Sequence, residues 1–207
     1  MPRIIVSAGN HDRLFVPVTA EAASAGMKLV DQESGREVPF QASADGGRLT
    51  FIVANLAAGQ SRVYELVPGA PAACKGVSLT PVGDDHVDVC IGEQFFTAYH
   101  FGQAYPRPFL YPVIGPFGAS VTRHFPMKNV EGEKQDHPHH RSIYTAFGEV
   151  NGVDDWSEMK NHGRIVHQGF RGLEQGPVYA AIRADNAWVS HEGTRVMSET
   201  RDITIYS

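Results

Sequence analysis

Val87-Asp88-Val89-Cys90-Ile91 puts an apolar side chain at every second position, with a carboxylate and a thiol between them. A strand turns successive side chains to opposite faces, so this period of two marks a half-buried strand lying on a core. The same beat returns in Leu49-Thr50-Phe51-Ile52-Val53, in Val178, Ala180 and Ile182, and in Ile203 and Ile205 near the end. Asp45-Gly46-Gly47, Gly59-Gln60, Pro68-Gly69, Gly83-Asp84-Asp85 and Gly115-Pro116 supply turn chemistry between the runs. This order predicts an all-β protein, an antiparallel β-sandwich or barrel and not a βαβ fold. One short helix is expected, around Asp154 to Lys160.

The small, proline-rich run Pro68-Gly69-Ala70-Pro71-Ala72-Ala73 divides the chain. An N-terminal β-sandwich-like module is expected over residues 1–70 and a larger β-sandwich core over residues 78–207. The last nine residues, Glu199 to Ser207, read as a strand that stops while still in pattern. The expectation is therefore a fragment of a longer protein, with part of the sheet beyond Ser207. At 207 residues the chain is long enough to bury a core. A net charge of −5 and the lack of a basic stripe argue against nucleic acid. No apolar run approaches the ~18 residues that span a bilayer, and Met1 to Ser7 is too short in its apolar part for a secretory leader. A cytoplasmic protein without a membrane partner is expected. Cys74 and Cys90 form no Cys-x-x-Cys pair and read as buried or half-buried thiols.

Chemistry concentrates in Asp136-His137-Pro138-His139-His140-Arg141. Imidazoles crowded this closely repel one another when charged, so packing alone explains the run poorly. Such clusters bind metal, move protons or grip polar ligands. In an extended segment His137 and His139 share one face and His140 takes the other. Pro138 cannot donate to a ladder, which places the run at an edge, a bulge or a loop beside a strand. His137 and His139 are candidate ligands for a divalent metal. A third ligand would come from Asp136, His124, His162, His167 or Glu149, and zinc, iron, manganese and copper all accept such a set.

A sugar or polyol site is the second reading. Trp156, Trp188, Tyr144 and Tyr111 offer flat apolar faces, while Arg141 and Asp136 offer hydrogen bonds to hydroxyls. A histidine poised near neutrality, facing Glu149, Glu158 or Glu199, serves as general acid or base. Arg107 and Tyr111, in the proline-flanked run Arg107-Pro108-Phe109-Leu110-Tyr111-Pro112, are candidates for a pocket mouth. Core packing is the competing reading for each tryptophan, and a turn or helix cap for Asp154 and Asp155.

Taken in order, Arg107-Pro108-Phe109-Leu110-Tyr111-Pro112-Val113, Val121-Thr122-Arg123 and Asp136-His137-Pro138-His139-His140-Arg141-Ser142 resemble the bacterial family labelled "methane oxygenase PmoA". Trp156, Gly163-Arg164-Ile165-Val166-His167 and Glu199-Thr200-Arg201 continue the likeness. It covers the chain from about residue 80 onward, and Asp-His-Pro-His-His is its specific part. The resemblance implies a β-rich protein of unassigned activity in a carbohydrate-catabolic setting, with a fold like the supersandwich of galactose mutarotases. It carries over Arg107, Arg123, Asp136, His137, His139, His140, Arg141, Trp156 and His167, without a role for any of them.

The leading expectation is an enzyme acting on carbohydrate or a related polyol by histidine acid–base chemistry, of the hydrolase, lyase or epimerase class, with a divalent metal as candidate cofactor. Asp136, His137, His139 and His140 are the candidate catalytic residues. Arg107, Arg123, Arg141, Trp156 and His167 are the candidate substrate-binding residues. A non-catalytic carbohydrate-binding module is the alternative. Literal methane oxygenase activity is a third reading, against which the lack of a spanning segment counts.

Overall fold

A computed structural model describes all 207 residues. The protein is all-β: fifteen strands in four antiparallel sheets, without a helix. It divides into two compact units. The first comprises Met1–Val77, Gly176–Tyr179 and Tyr206–Ser207; the second comprises Ser78–Gln175 and Ala180–Ile205. The short C-terminal segments in the first unit carry no signal in the sequence.

The first unit is a two-sheet sandwich. One sheet has the order β1 (Arg3–Ser7), β7 (Ser61–Pro68), β3 (Met27–Asp31) and β4 (Glu37–Val38). The other has the order β2 (Val16–Glu21), β6 (Arg48–Val53) and β5 (Phe40–Ala42). Leu49, Phe51 and Val53 point inward from β6, while Leu29, Tyr64 and Leu66 meet them from the first sheet, all at most 2% exposed. The Phe51 and Tyr64 rings meet edge to face at 4.7 Å, which adds directional attraction to the area they bury.

The second unit holds a five-stranded sheet, in the order β12 (Ile143–Tyr144), β11 (Phe109–Leu110), β10 (Gln94–His100), β9 (His86–Ile91) and β8 (Val77–Val82). A three-stranded sheet follows, with β14 (Tyr179–Val189) between β13 (Arg164–Glu174) and β15 (Arg195–Tyr206). Val87, Val89 and Tyr99 are fully buried on one face of the first sheet, and Ile182 and Ala184 of β14 are equally buried.

A β-bulge between Phe95 and Thr97 shifts the β9–β10 register by one residue. It sets Val87 opposite Tyr99 and His86 opposite His100. His100 in turn faces Phe109, and Phe109 faces Tyr144. Directly opposed residues share a face, so His86, His100, Phe109 and Tyr144 form one row across four strands.

The helix expected around 154–160 does not form. Asp154 Oδ1 accepts the backbone N–H groups of Trp156 and Ser157 at 2.9 Å each, a local turn that competes with helix. Glu158 and Asn161 have φ of 56° and 67°, which a right-handed helix cannot accommodate. Both cysteines are free; Cys74 is exposed, against the buried or half-buried place expected for it, and Cys90 is half-buried. No helix is long and apolar enough to cross a membrane.

Candidate functional site

The histidine run is a turn, not an extended segment. His140 N–H donates to the His137 carbonyl at 2.9 Å, and His137 sits at φ 47°. The run leads into β12, the edge strand. The tight turn gathers all three rings instead of dividing them between two faces. His139 and His140 lie 4.3 Å apart, His137 and His140 stack at 5.0 Å, and His137 and His139 are 5.9 Å apart. Trp156 and Tyr144 close one side: Trp156 is 5.6 Å from His140 and 6.0 Å from His139, and Tyr144 is 6.0 Å from His140. Trp156 keeps 39% of its surface exposed, so an aromatic face remains open beside the imidazoles.

Burial pushes the pKa of His139 down, and the neighbouring His140 pushes it further. Burial does the same to His140, helped by His137. A desolvated imidazole beside another imidazole resists protonation. His139 and His140 are therefore neutral at pH 7 and able to accept a proton. His140 Nε2 is buried without a hydrogen-bond partner.

Asp136 has a different place from the catalytic one expected. Arg123 Nη1 donates to Asp136 Oδ1 at 2.7 Å, and Nη2 donates to the carbonyls of Asp136 and His137, the latter at 2.9 Å. Arg123 Nε donates to the Phe125 carbonyl at 2.9 Å. The Arg123 hydrogen bond, followed by that of His137, holds the Asp136 carboxyl below the usual carboxylate range. Arg123 is thus a clamp on the histidine turn, and Asp136 is one of its anchors. Ser142 Oγ, donating to Thr122 Oγ1 at 2.9 Å, ties the far end of the turn to the same neighbouring segment.

Arg107 and Arg141, expected at the ligand, are instead turned to Glu158. Arg141 donates from both terminal nitrogens to the two Glu158 oxygens, at 2.8 Å for the Nη2–Oε2 bond. Arg107 is 2% exposed, approaches Glu158 Oε1 at 3.5 Å, and donates from Nη1 to the Trp156 carbonyl at 3.2 Å. Burial pushes the Arg107 pKa down, and Glu158 opposes that. The guanidinium planes also cover aromatic rings, Arg107 over Tyr144 at 5.7 Å and Arg141 over Tyr105 at 5.6 Å. This ionic layer holds the Trp156 backbone through the Arg107 bond to its carbonyl.

Asp155 lies in the same layer, 1% exposed, with neither carboxylate oxygen hydrogen-bonded. Desolvation raises its pKa to about 6, against the attraction of Arg107. Gly163 makes room for it, since a β-carbon there would fall 2.3 Å from Asp155 Oδ1.

Other expected residues lie elsewhere. The His167 ring is packed between Phe101 at 4.6 Å and Phe170 at 4.4 Å, and its Nδ1 is buried and unbonded. Trp188 is 3% exposed and donates Nε1–H to Glu199 at 2.6 Å, so it belongs to the interior. The Tyr111 hydroxyl meets His124 Nδ1 at 2.7 Å, and His162 Nδ1 meets the Gly163 carbonyl at 2.6 Å. Glu149 is exposed.

Of the metal-ligand set expected on His137 and His139, Asp136 Oδ1 lies 3.4 Å from His137 Nδ1, but no three ligand atoms of the turn come together within 4.8 Å of one another. The trio whose ligand atoms lie within 4.8 Å of one another is Asp85, His86 and His100. Sequence reading missed it, taking Asp85 for a turn residue. Only the bulge brings His100 opposite His86, and nothing in the residue pattern announces that register shift.

The model of a family described as "Family of unknown function (DUF6807)" matches residues 86–207, and the chain belongs to that family. No curated protein matches the chain.

Proposed function

We propose, for this member of a family without an assigned activity, that the second unit binds a carbohydrate or related polyol beside Trp156 and acts on it through the histidine turn. One observation carries the reading: three imidazoles packed ring to ring next to a partly exposed tryptophan, two of them held neutral. A flat indole takes the C–H face of a sugar ring, and a neutral imidazole beside it accepts a hydroxyl or C–H proton. His139 and His140 are the bases of this proposal, and His137, the exposed member, shuttles the proton to water. The likeness to the family labelled "methane oxygenase PmoA", the cytoplasmic setting and the absence of nucleic-acid and membrane partners belong to the same proposal.

The second reading is a binding module without turnover. It is favoured by the ionic layer: Glu158 is engaged by Arg107 and Arg141, and Asp136, held by Arg123, meets only His137, which leaves His139 and His140 without a carboxylate partner. The experiment is incubation of the full chain with oxidised and unmodified sugars, with product read by chromatography and binding by calorimetry. Product formation lost in His139→Gln and His140→Gln supports catalysis. Unchanged turnover in both variants sinks the catalytic assignment. Saturable binding without product, lost in Trp156→Ala, selects the second reading.

A further inference from the structure

We propose that Asp85, His86 and His100 form a binding site for one divalent first-row transition metal, zinc above all, at the β9 side of the same sheet. The site stands apart from the histidine turn and does not depend on the sugar reading.

The ligand atoms come from a rigid frame. His86 and His100 are a directly opposed cross-strand pair, with ring centroids 5.1 Å apart. Asp85 precedes His86, and its carbonyl accepts the backbone N–H groups of Phe101 and Gly102, each at 2.9 Å. The end of the hairpin is thereby closed on itself. A β-carbon on Gly102 would lie 2.6 Å from Asp85 Oδ1, so a residue without a side chain admits the carboxylate. His100 is stacked on Phe109 at 4.8 Å and 15°, which fixes its ring plane.

Hydrogen bonding prepares both imidazoles as ligands. His100 Nε2 is 3.0 Å from the Tyr111 carbonyl. A carbonyl only accepts, so Nε2 carries the proton and Nδ1 of the neutral ring is a bare lone pair. That Nδ1 is buried and has no hydrogen-bond partner. An unsatisfied buried acceptor is costly, and a cation is the partner it lacks. His86 Nδ1 is 2.7 Å from Asp85 Oδ2, while its Nε2 lies 3.4 Å from Asp88 Oδ1. Metal-bound histidines commonly hold their second nitrogen on a carbonyl or a carboxylate; the Tyr111 carbonyl holds His100 in this way, and Asp88 is the carboxylate nearest to His86 Nε2 when Nδ1 exchanges Asp85 for the ion.

The donor set selects the ion. Two imidazoles and one carboxylate suit zinc, iron, copper or nickel, whereas calcium and magnesium prefer oxygen alone. Ligands ~2.1 Å from a tetrahedral ion lie about 3.4 Å apart, so side chains already within 4.8 Å close on it by small rotations. The Asp85 side chain is 57% exposed, which leaves the remaining coordination positions to water.

The test is titration of the chelator-stripped full chain with zinc(II) by calorimetry, and with cobalt(II) by visible absorption. One zinc per chain is expected, with affinity at least 100-fold weaker in His86→Ala and Asp85→Asn. Asp88→Asn, which touches only the second nitrogen of His86, weakens binding roughly 10- to 100-fold. His139→Gln with His140→Gln leaves it unchanged. These substitutions lie on exposed or half-exposed side chains, and circular dichroism checks their folding. No zinc binding to the parent chain, binding indifferent to His86→Ala, or binding lost only on changing His139 and His140 each overturns the proposal.

Discussion

Arg141 grips Glu158 through both terminal nitrogens, while Arg107 meets one of the same carboxylate oxygens from 3.5 Å. Glu158 is therefore the carboxylate that the two guanidiniums share, their side chains 11% and 1% exposed, with Asp155 a lesser attraction on Arg107. Arg107 Nε and Nη2 and Arg141 Nε make no hydrogen bond, so Glu158 is the main compensation for their burial. The aromatic floor of the proposed site, Tyr144 and Trp156, rests on this layer.

Glu158→Gln is accordingly expected to destabilise the protein by about 3 kcal/mol, since removing one partner strands buried charge. Arg141→Lys loses the two-pronged geometry and costs less, about 1–2 kcal/mol. Urea unfolding monitored by tryptophan fluorescence measures both. Equal, near-zero effects would mean that the layer is hydrated and of little consequence.

Asp155 gives a pH dependence of opposite sign to that of most carboxylates. Its pKa is raised from 3.8 to about 6 in the folded state, so between these values the folded chain keeps a proton that the unfolded chain has released. Stability from this group is present below pH 3.8 and is lost as pH rises through about 6. Asp155→Asn removes the penalty and is expected to stabilise the protein at pH 7.5 by up to about 3 kcal/mol, with a smaller gain at pH 4.5. Unfolding curves at the two pH values test it. A variant less stable at pH 7.5 would show that attraction to Arg107 outweighs desolvation.

The histidine turn responds to acid. His139 and His140 have folded-state pKa values below 6.5, so their neutral state supports the fold at neutral pH. That support is lost as pH falls below 6.5 through their folded values. Turnover or ligand binding at the site is expected to fall as pH drops through the lowered values of these two histidines, below 6.5. A profile whose midpoint lies above pH 6.5 assigns the base to another group.

The fold class was legible because alternation in β6 and β9 reports burial directly: Leu49, Phe51, Val53, Val87 and Val89 are all buried. Sheet order and the return of Gly176–Tyr179 to the first unit depend on long-range pairing, which leaves no local trace. The histidine run was legible as an anomaly of composition, but its shape was not. Pro138 argues for an extended His137, whereas the Arg123 clamp holds that residue at φ 47°. The arginines misled for a related reason. A guanidinium suits a ligand hydroxyl and a buried carboxylate equally well, and only the place of Glu158 decides between them.

Arg123 offers the sharpest separation of site geometry from overall stability. Its guanidinium donates to the Phe125, Asp136 and His137 carbonyls and to the Asp136 carboxylate, a fan of bonds that lysine cannot reproduce. All of these lie in the turn region at the surface, outside the apolar core. Arg123→Lys is therefore expected to cost little global stability, about 1 kcal/mol or less, while faster hydrogen exchange spreads through residues 136–141. With the imidazoles no longer held against Trp156, binding or turnover falls about tenfold, because small displacements of positioned groups are felt strongly in rate. Exchange and activity measured on the same variant make the comparison. If exchange quickens and function is untouched, the ordered turn is not what the site requires.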